Sequence, residues 1–431
     1  MFGFFAVYLC FAIVCVQAIF RPWVGIVGFY GFALLVPQWN WRWSLPQDFE
    51  FQKYIIACTL VGFVLNGFPG QQIRGHLKLA YASLLTFLVL AFVSGMQTID
   101  KQLSDFYLGI MWKIVLTSLL AIRLLDSPAK IRTFMWVVVL ANGYNGYGLT
   151  RDYLEVGYCD YVMHPWAFQS SNQLSNLFVC CSAVSLALLF YETKTWRKAV
   201  IGLILLLQVH AVMLLESRGC MLGLLAMGTA TVWLMPKTKT NLHLVFAAIV
   251  GAAILAGPPV VKEFISIFAD KENRDASAES RVDLWRAGYE ITLDHPLLGV
   301  GPDAGQRLVP AYYSAASTSQ TKALHNLFFE ISTGCGLPAA IAFFMFFVTA
   351  GIASQRMTRD KQGSLSLPLG VQAGMLASTA GLIGFMTANL FSSGALLEGS
   401  YTLAIIGCAT VAIAKGMLQP DPLGPPLADL N

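Results

Sequence analysis

Long uncharged runs dominate this chain, and a single hydrophilic stretch, 261–323, interrupts them. A helix that crosses a bilayer needs about 20 apolar residues, with a range of roughly 17–25. Thirteen segments meet or approach that length: 2–20, 22–37, 54–68, 77–95, 106–123, 131–149, 172–191, 199–215, 219–236, 242–260, 325–353, 370–391 and 398–415. The second and third are short, so twelve spans plus an interfacial or re-entrant piece fit as well. Lipid offers the backbone no hydrogen-bond partner, so such runs fold as helices. The expected fold class is all-α, a polytopic membrane protein of 12–13 transmembrane helices with one large loop. Only 12% of the residues are charged and 56% are hydrophobic, against about 25% charged in soluble domains.

The chain divides accordingly. Residues 1–260 hold the first ten spans and 261–323 form the loop. Residues 324–416 hold the remaining spans, and 417–431 form a Pro-rich, disordered tail. The opening MFGFFAVYLC has no basic residue ahead of its apolar run. A signal peptide normally has one, so this segment reads as a retained first helix. The nine cysteines, among them the adjacent Cys180 and Cys181, show neither Cys-x-x-Cys nor Cys/His metal spacing. They read as small packing residues, with no disulfide framework, metal site or cofactor expected.

The net charge of +4 is set by topology rather than by a nucleic-acid partner. Arg21, Arg74, Lys78, Arg123, Lys130, Arg132, Lys194, Arg197, Lys198, Lys237, Lys239, Arg356, Arg359, Lys361 and Lys415 fall in alternate short loops or near the C-terminus. The positive-inside rule puts that side in the cytoplasm. The 261–323 loop, the 38–53 and 150–171 segments and the Glu216-Ser217-Arg218 turn then face outward. In 38–51, Trp39, Trp41 and Trp43 read as an interfacial aromatic belt, with sugar stacking as the alternative. The 151–173 segment, with His164, is a candidate wall of an acceptor groove.

Inside the loop a helix is expected over about Ser280–Asp294. It places Arg281, Trp285 and Tyr289 on one face and Arg286 and Glu290 as an i, i+4 pair on another. His295-Pro296 ends it, and Leu-Leu-Gly-Val-Gly-Pro (297–302) reads as a tight, closely packed turn.

The chemistry-bearing candidates gather on the outer side. Arg218 sits in Glu-Ser-Arg-Gly between two apolar runs, either snorkelling to headgroups or binding an anion. Gly219 and Gly223 form a Gly-x-x-x-Gly that lets a neighbouring helix approach closely. His325 opens the eleventh span, with Asn326 beside it as a possible cap. Arginine forks pair bidentately with phosphate oxygens, and a near-neutral His takes a proton from a hydroxyl. Glu216 and Glu330 either orient the base or pair with arginine, structural pairing being the favoured reading. A lipid-linked-sugar transporter or a non-catalytic assembly subunit is the competing class. A transporter would show mid-span charges and inverted repeats, and neither is evident.

Three stretches resemble the O-antigen ligase and O-antigen polymerase superfamily of bacterial membrane glycosyltransferases. They are ESRGCMLGLLAMG (216–228), ESRVDLWRAGYEITLDHPLLGVGPDAG (279–305) and HNLFFEISTGCGLPAAIAFF (325–344). His325, Asn326 and Gly336 follow the ligase-type pattern, whereas Ala339 stands where it asks for Gly, Thr or Tyr. FRPWVGIVGFYGFALLVPQWNWRW (20–43) resembles the exosortase-associated O-glycosylation ligase branch. The resemblance implies a metal-independent, inverting GT-C-type transfer at the periplasmic face of the bacterial inner membrane. The donor would be a glycan on undecaprenyl pyrophosphate and the acceptor a hydroxyl on lipid, protein or glycan. A glycan acceptor would make the protein a polymerase. Arg218 and Arg281 would grip the pyrophosphate and His325 would be the base. Arg286 and Asn326 join them as substrate-binding candidates.

Overall fold

The computed structural model describes residues 2–46, 48–159, 170–248, 250–251, 276–313, 322–359 and 366–418, and these contain no strand. His164, the end of the expected tenth span, part of the large loop and the tail after 418 lie outside the described residues. In chain order the helices are α1 (Phe2–Phe20), α2 (Pro22–Leu35), α3 (Pro37–Asn40), α4 (Phe51–Leu65) and α5 (His76–Met96). Next come α6 (Lys101–Leu124), α7 (Pro128–Val156), α8 (Ser171–Tyr191), α9 (Thr195–Leu214) and α10 (Arg218–Leu234). The last are α11 (Ala276–Asp294), α12 (Val309–Tyr312), α13 (Leu327–Cys335), α14 (Leu337–Arg359), α15 (Leu369–Ala388) and α16 (Glu398–Leu418).

Among the described residues, eight helices are long and apolar enough to cross a membrane: α1, α5, α6, α8, α9, α14, α15 and α16. Helices α2, α4 and α10 are apolar but shorter. The chain is thus an all-α polytopic membrane protein. Among the described residues helix α7 is the longest at 29 residues, and its polar residues keep it out of the apolar set. Two of them, Asn142 and Asn145, are buried and bonded to neighbouring helices. Gln208 Nε2 donates to Asn142 Oδ1 at 2.9 Å, and Ser185 Oγ donates to Gln208 Oε1 at 2.7 Å. Asn145 Nδ2 donates to the Leu34 carbonyl at 2.6 Å. Inside a bundle such bonds hold helices together instead of opposing insertion.

The run expected to form one span over 325–353 does so only from Leu337. It breaks at Gly336, which sits at φ +86° with Leu297 O only 2.2 Å from where a Cβ would stand. Only glycine fits this left-handed, crowded position. The cause is the turn after α11, which wedges into the break. Val300 N donates to Thr333 O at 3.0 Å, Gly301 N to Gly334 O at 2.9 Å, and Leu337 N to Pro296 O at 2.8 Å. Ile99 N donates to Val300 O at 3.0 Å and Ser104 Oγ to Pro302 O at 2.8 Å. Arg307 Nε closes the clamp on Asp100 Oδ2 at 2.6 Å. The Leu103 amide, then the Arg307 guanidinium, hold the Asp100 carboxyl below its usual range. The 297–302 turn packs closely, as its glycines and proline require.

Three of the basic residues assigned to the cytoplasmic side are held at helix ends by protein partners. Arg123 donates to Phe68 O at 2.7 Å and to Pro69 O at 3.1 Å. Arg132 and Arg197 share Glu192, at 2.7 and 3.7 Å. Of the tryptophans expected in a belt, Trp43 is exposed, while Trp41 stacks on Tyr144 with centroids 5.3 Å apart.

Candidate active site

Arg218 is the first residue of α10, and only Leu215–Ser217 separate it from the end of α9. So short a connection forces Glu216 to φ +53°, a conformation that costs a non-glycine residue roughly 1–2 kcal/mol. The turn is held from α8. Ser217 Oγ donates to Asn172 Oδ1 at 2.6 Å, and Cys220 Sγ donates to the Asn172 carbonyl at 3.5 Å. Ser217 therefore does not cap α10, whose N-terminus has no side-chain cap. The positive end of the helix dipole lies at Arg218.

The Gly-x-x-x-Gly works as the sequence suggests. A Cβ at Gly223 would stand 2.8 Å from Gly384 O, and one at Gly219 would stand 2.8 Å from the Phe391 Cβ. Helix α10 is thereby seated on the last turns of α15 and on the residues that follow it.

The same residues hold His325. Asn326 caps α13, with Oδ1 accepting from Phe328 N at 2.9 Å and Phe329 N at 3.3 Å. Its Nδ2 donates to Leu390 O at 3.2 Å, and Leu327 N donates to Asn389 O at 3.0 Å. His325, immediately before the cap, is at φ +49°. Strained backbone of this kind persists only where surrounding contacts over-determine it.

Helix α11 begins at Ala276 and ends at Asp294, with His295-Pro296 as its stop. Leu284, Ala287 and Ile291 pack with Val309 and Leu324 into a small core of their own. Trp285 meets Phe391 at 5.7 Å between ring centroids. This packing sets Arg281, half-buried, beside His325. Burial, then the Arg281 guanidinium, then the Lys322 ammonium hold the His325 imidazole below its usual pKa. Arg281 also reaches the neighbourhood of Cys220, two residues into α10 from Arg218.

The remaining candidates fall elsewhere. Arg286 is on the exposed face of α11 and faces Asp283 at 3.7 Å rather than the expected Glu290. Asn326 spends both ends of its amide on cap and tether. Glu216 is exposed. Glu330 departs from the arginine pairing favoured for it. It faces Asp303, with the Ser393 hydroxyl and the Gly394 and Ala395 amides beside its carboxyl. Burial first, then Asp303, pushes it up to about 8. Asp303, at φ +61°, is pushed up to about 6 by burial and by Asp100. The sequence reading passed over Asp303. Its only signal was its place directly after the Gly-Val-Gly-Pro turn.

No curated protein matches the chain. Residues 201–344, running from α9 into α14 and containing Arg218, Arg281 and His325, match the family described as O-antigen ligase. In an all-α, multi-span chain, this stretch is thus similar to the O-antigen ligase and polymerase superfamily.

Proposed function

We propose that the protein is a glycosyltransferase that moves a glycan from undecaprenyl pyrophosphate to an acceptor hydroxyl at the periplasmic face of the inner membrane. Arg218 and Arg281, with the positive end of the α10 dipole, bind the pyrophosphate. Guanidinium forks match its oxygens and stabilise the charge that builds as it leaves. His325, uncharged at neutral pH, takes the proton of the acceptor hydroxyl. The hydroxyl oxygen bonds to the anomeric carbon while the carbon–oxygen bond to the pyrophosphate breaks. The bonding pair leaves on the pyrophosphate, the proton stays on the imidazole, and the anomeric configuration inverts. The chain's own side chains carry every step, so the reaction needs no metal.

One observation supports this reading above the others. Gly219, beside Arg218, and Asn326, beside His325, are both seated on Ala388–Phe391. One short segment therefore carries clamp and base together, and proximity of this kind is worth a large share of a transfer barrier.

Ligase and polymerase differ only in the acceptor. Ala339, in place of the Gly, Thr or Tyr of the ligase-type pattern, favours the polymerase as the second reading. The test is transfer by purified protein supplied with lipid-linked glycan and candidate acceptors. Wild type forms a new glycosidic bond, and His325→Ala keeps donor binding but loses product. Donor translocation without any new bond would establish a transporter instead.

A further inference from the structure

We propose that a cavity between α6, α13 and the turn before α16, with polar groups set in an apolar wall, is a glycosyl subsite that receives one sugar unit of the substrate. The inference rests on the transferase reading above and names what the site recognises beyond phosphate. The cavity holds about 270 Å³; Gln52, Tyr107, Gln173, Asp303, Glu330 and Glu398 are set among apolar neighbours such as Phe106, Ile110 and Leu396 in its wall. Drug-sized ligands occupy pockets of roughly 300–1,000 Å³, so this one suits a single ring rather than a chain of them.

Its position fits the reaction. Glu330 lies five residues beyond His325 in α13. Gln173 follows Asn172, which holds Ser217 and hence the Arg218 turn. Its lining is thus joined through the chain to both: Glu330 shares the segment that His325 opens, and Gln173 adjoins the residue that holds the Arg218 turn.

Its chemistry fits a sugar. Glu330 Oε2 is buried and finds no hydrogen-bond partner among the described residues. Native proteins rarely leave such an atom unpaired, and a ligand hydroxyl supplies the missing partner. Amides, a phenol and carboxyls together offer both donors and acceptors, as a polyol requires. The protonated state that burial favours for Glu330 keeps negative charge away from the neighbouring pyrophosphate. Among the described residues, no three acidic, His or Cys side chains converge as metal ligands would.

The experiment measures binding of two synthetic lipids to the full-length protein in nanodiscs. One is bare polyprenyl pyrophosphate and the other is the same lipid bearing one sugar. Wild type binds the glycosylated lipid more tightly. Glu330→Ala and, independently, Glu398→Ala cut that preference about tenfold, the scale of one or two lost hydrogen bonds, and leave bare-lipid binding unchanged. Glu330→Gln, which keeps a donor and an acceptor, retains the preference within a few-fold. A purely structural role would move both affinities together. Equal affinity of wild type for the two lipids, or a preference that disappears with EDTA, overturns the subsite while leaving the transferase reading intact. Failure of wild type to bind either lipid overturns both.

Discussion

Asn326 Nδ2 donates to the Leu390 carbonyl at 3.2 Å, tying the start of α13 to the turn that closes α15. Because α10 is seated on that same turn, this bond links the position of His325 to that of Arg218. The two side chains are 107 residues apart in sequence and are brought to a common support. Several consequences can be measured.

Asn326→Ala removes both the cap and the tether. Loss of an N-cap costs about 0.5–2 kcal/mol, so the melting temperature in detergent falls. The larger effect is on turnover, because the residue before the cap is the base. Donor affinity is expected to hold while kcat drops at least tenfold. Asn326→Asp keeps the cap and loses the tether, and its turnover falls between the two.

Arg218→Lys is expected to impair donor binding nearly as much as Arg218→Ala. An ammonium keeps the charge but cannot reproduce a bidentate fork. Titration of polyprenyl pyrophosphate against both variants measures this. Full binding by the lysine variant would mean that charge alone matters.

The pH dependence follows from the environment of His325. Burial, Arg281 and Lys322 lower its pKa in the folded protein. The acid limb of kcat/KM is therefore expected below the ordinary histidine value of about 6.5. Activity falls as pH drops through that lowered value, because the protonated imidazole cannot accept the acceptor's proton. Lys322→Ala removes one of the repelling charges and moves the limb upward, toward 6.5. A limb at or above pH 6.5 in wild type would exclude His325 as the base in this environment.

Glu330→Gln is expected to stabilise the protein near neutral pH. The folded-state pKa of Glu330, about 8, lies above its value in an unfolded chain. The contribution to stability is therefore full below the unfolded pKa and is lost as pH rises toward 8. Each unit of that interval is about 1.36 kcal/mol, so on the order of 3 kcal/mol is lost by pH 7 and recovered in the glutamine variant. The difference in thermal stability between the two proteins shrinks as pH falls toward 4.5.

Gly336→Ala tests the break between α13 and α14. Its φ of +86° and the Leu297 carbonyl at 2.2 Å from a Cβ leave no room for a side chain. The variant is expected to lose more than the roughly 1–2 kcal/mol of the backbone term alone and to displace α13, lowering transfer as well as stability.

Most of the fold is legible in the sequence because lipid leaves an apolar run no alternative to helix. The stop at His295-Pro296 and the close approach at Gly219 and Gly223 are equally local signals. The break at Gly336 is not. The apolar run continues through it, and its cause is a turn some 40 residues upstream that hydrogen-bonds into the gap. Arg281 and His325 carry motifs that mark them. Glu330 and Asp303 do not, because what distinguishes them is burial in a shared cavity, which no spacing encodes. Arg286 is legible only in part, since the spacing sets it on a separate face of α11 but does not give its partner, which is Asp283 rather than Glu290.

The most direct measurement is a structure of the full-length protein with polyprenyl pyrophosphate bound. The diphosphate is expected within hydrogen-bonding distance of both Arg218 and Arg281, at the N-terminus of α10, with the His325 imidazole facing the carbon that would be attacked. A diphosphate held by neither guanidinium, or on the side of the bilayer opposite His325, would contradict the proposed chemistry.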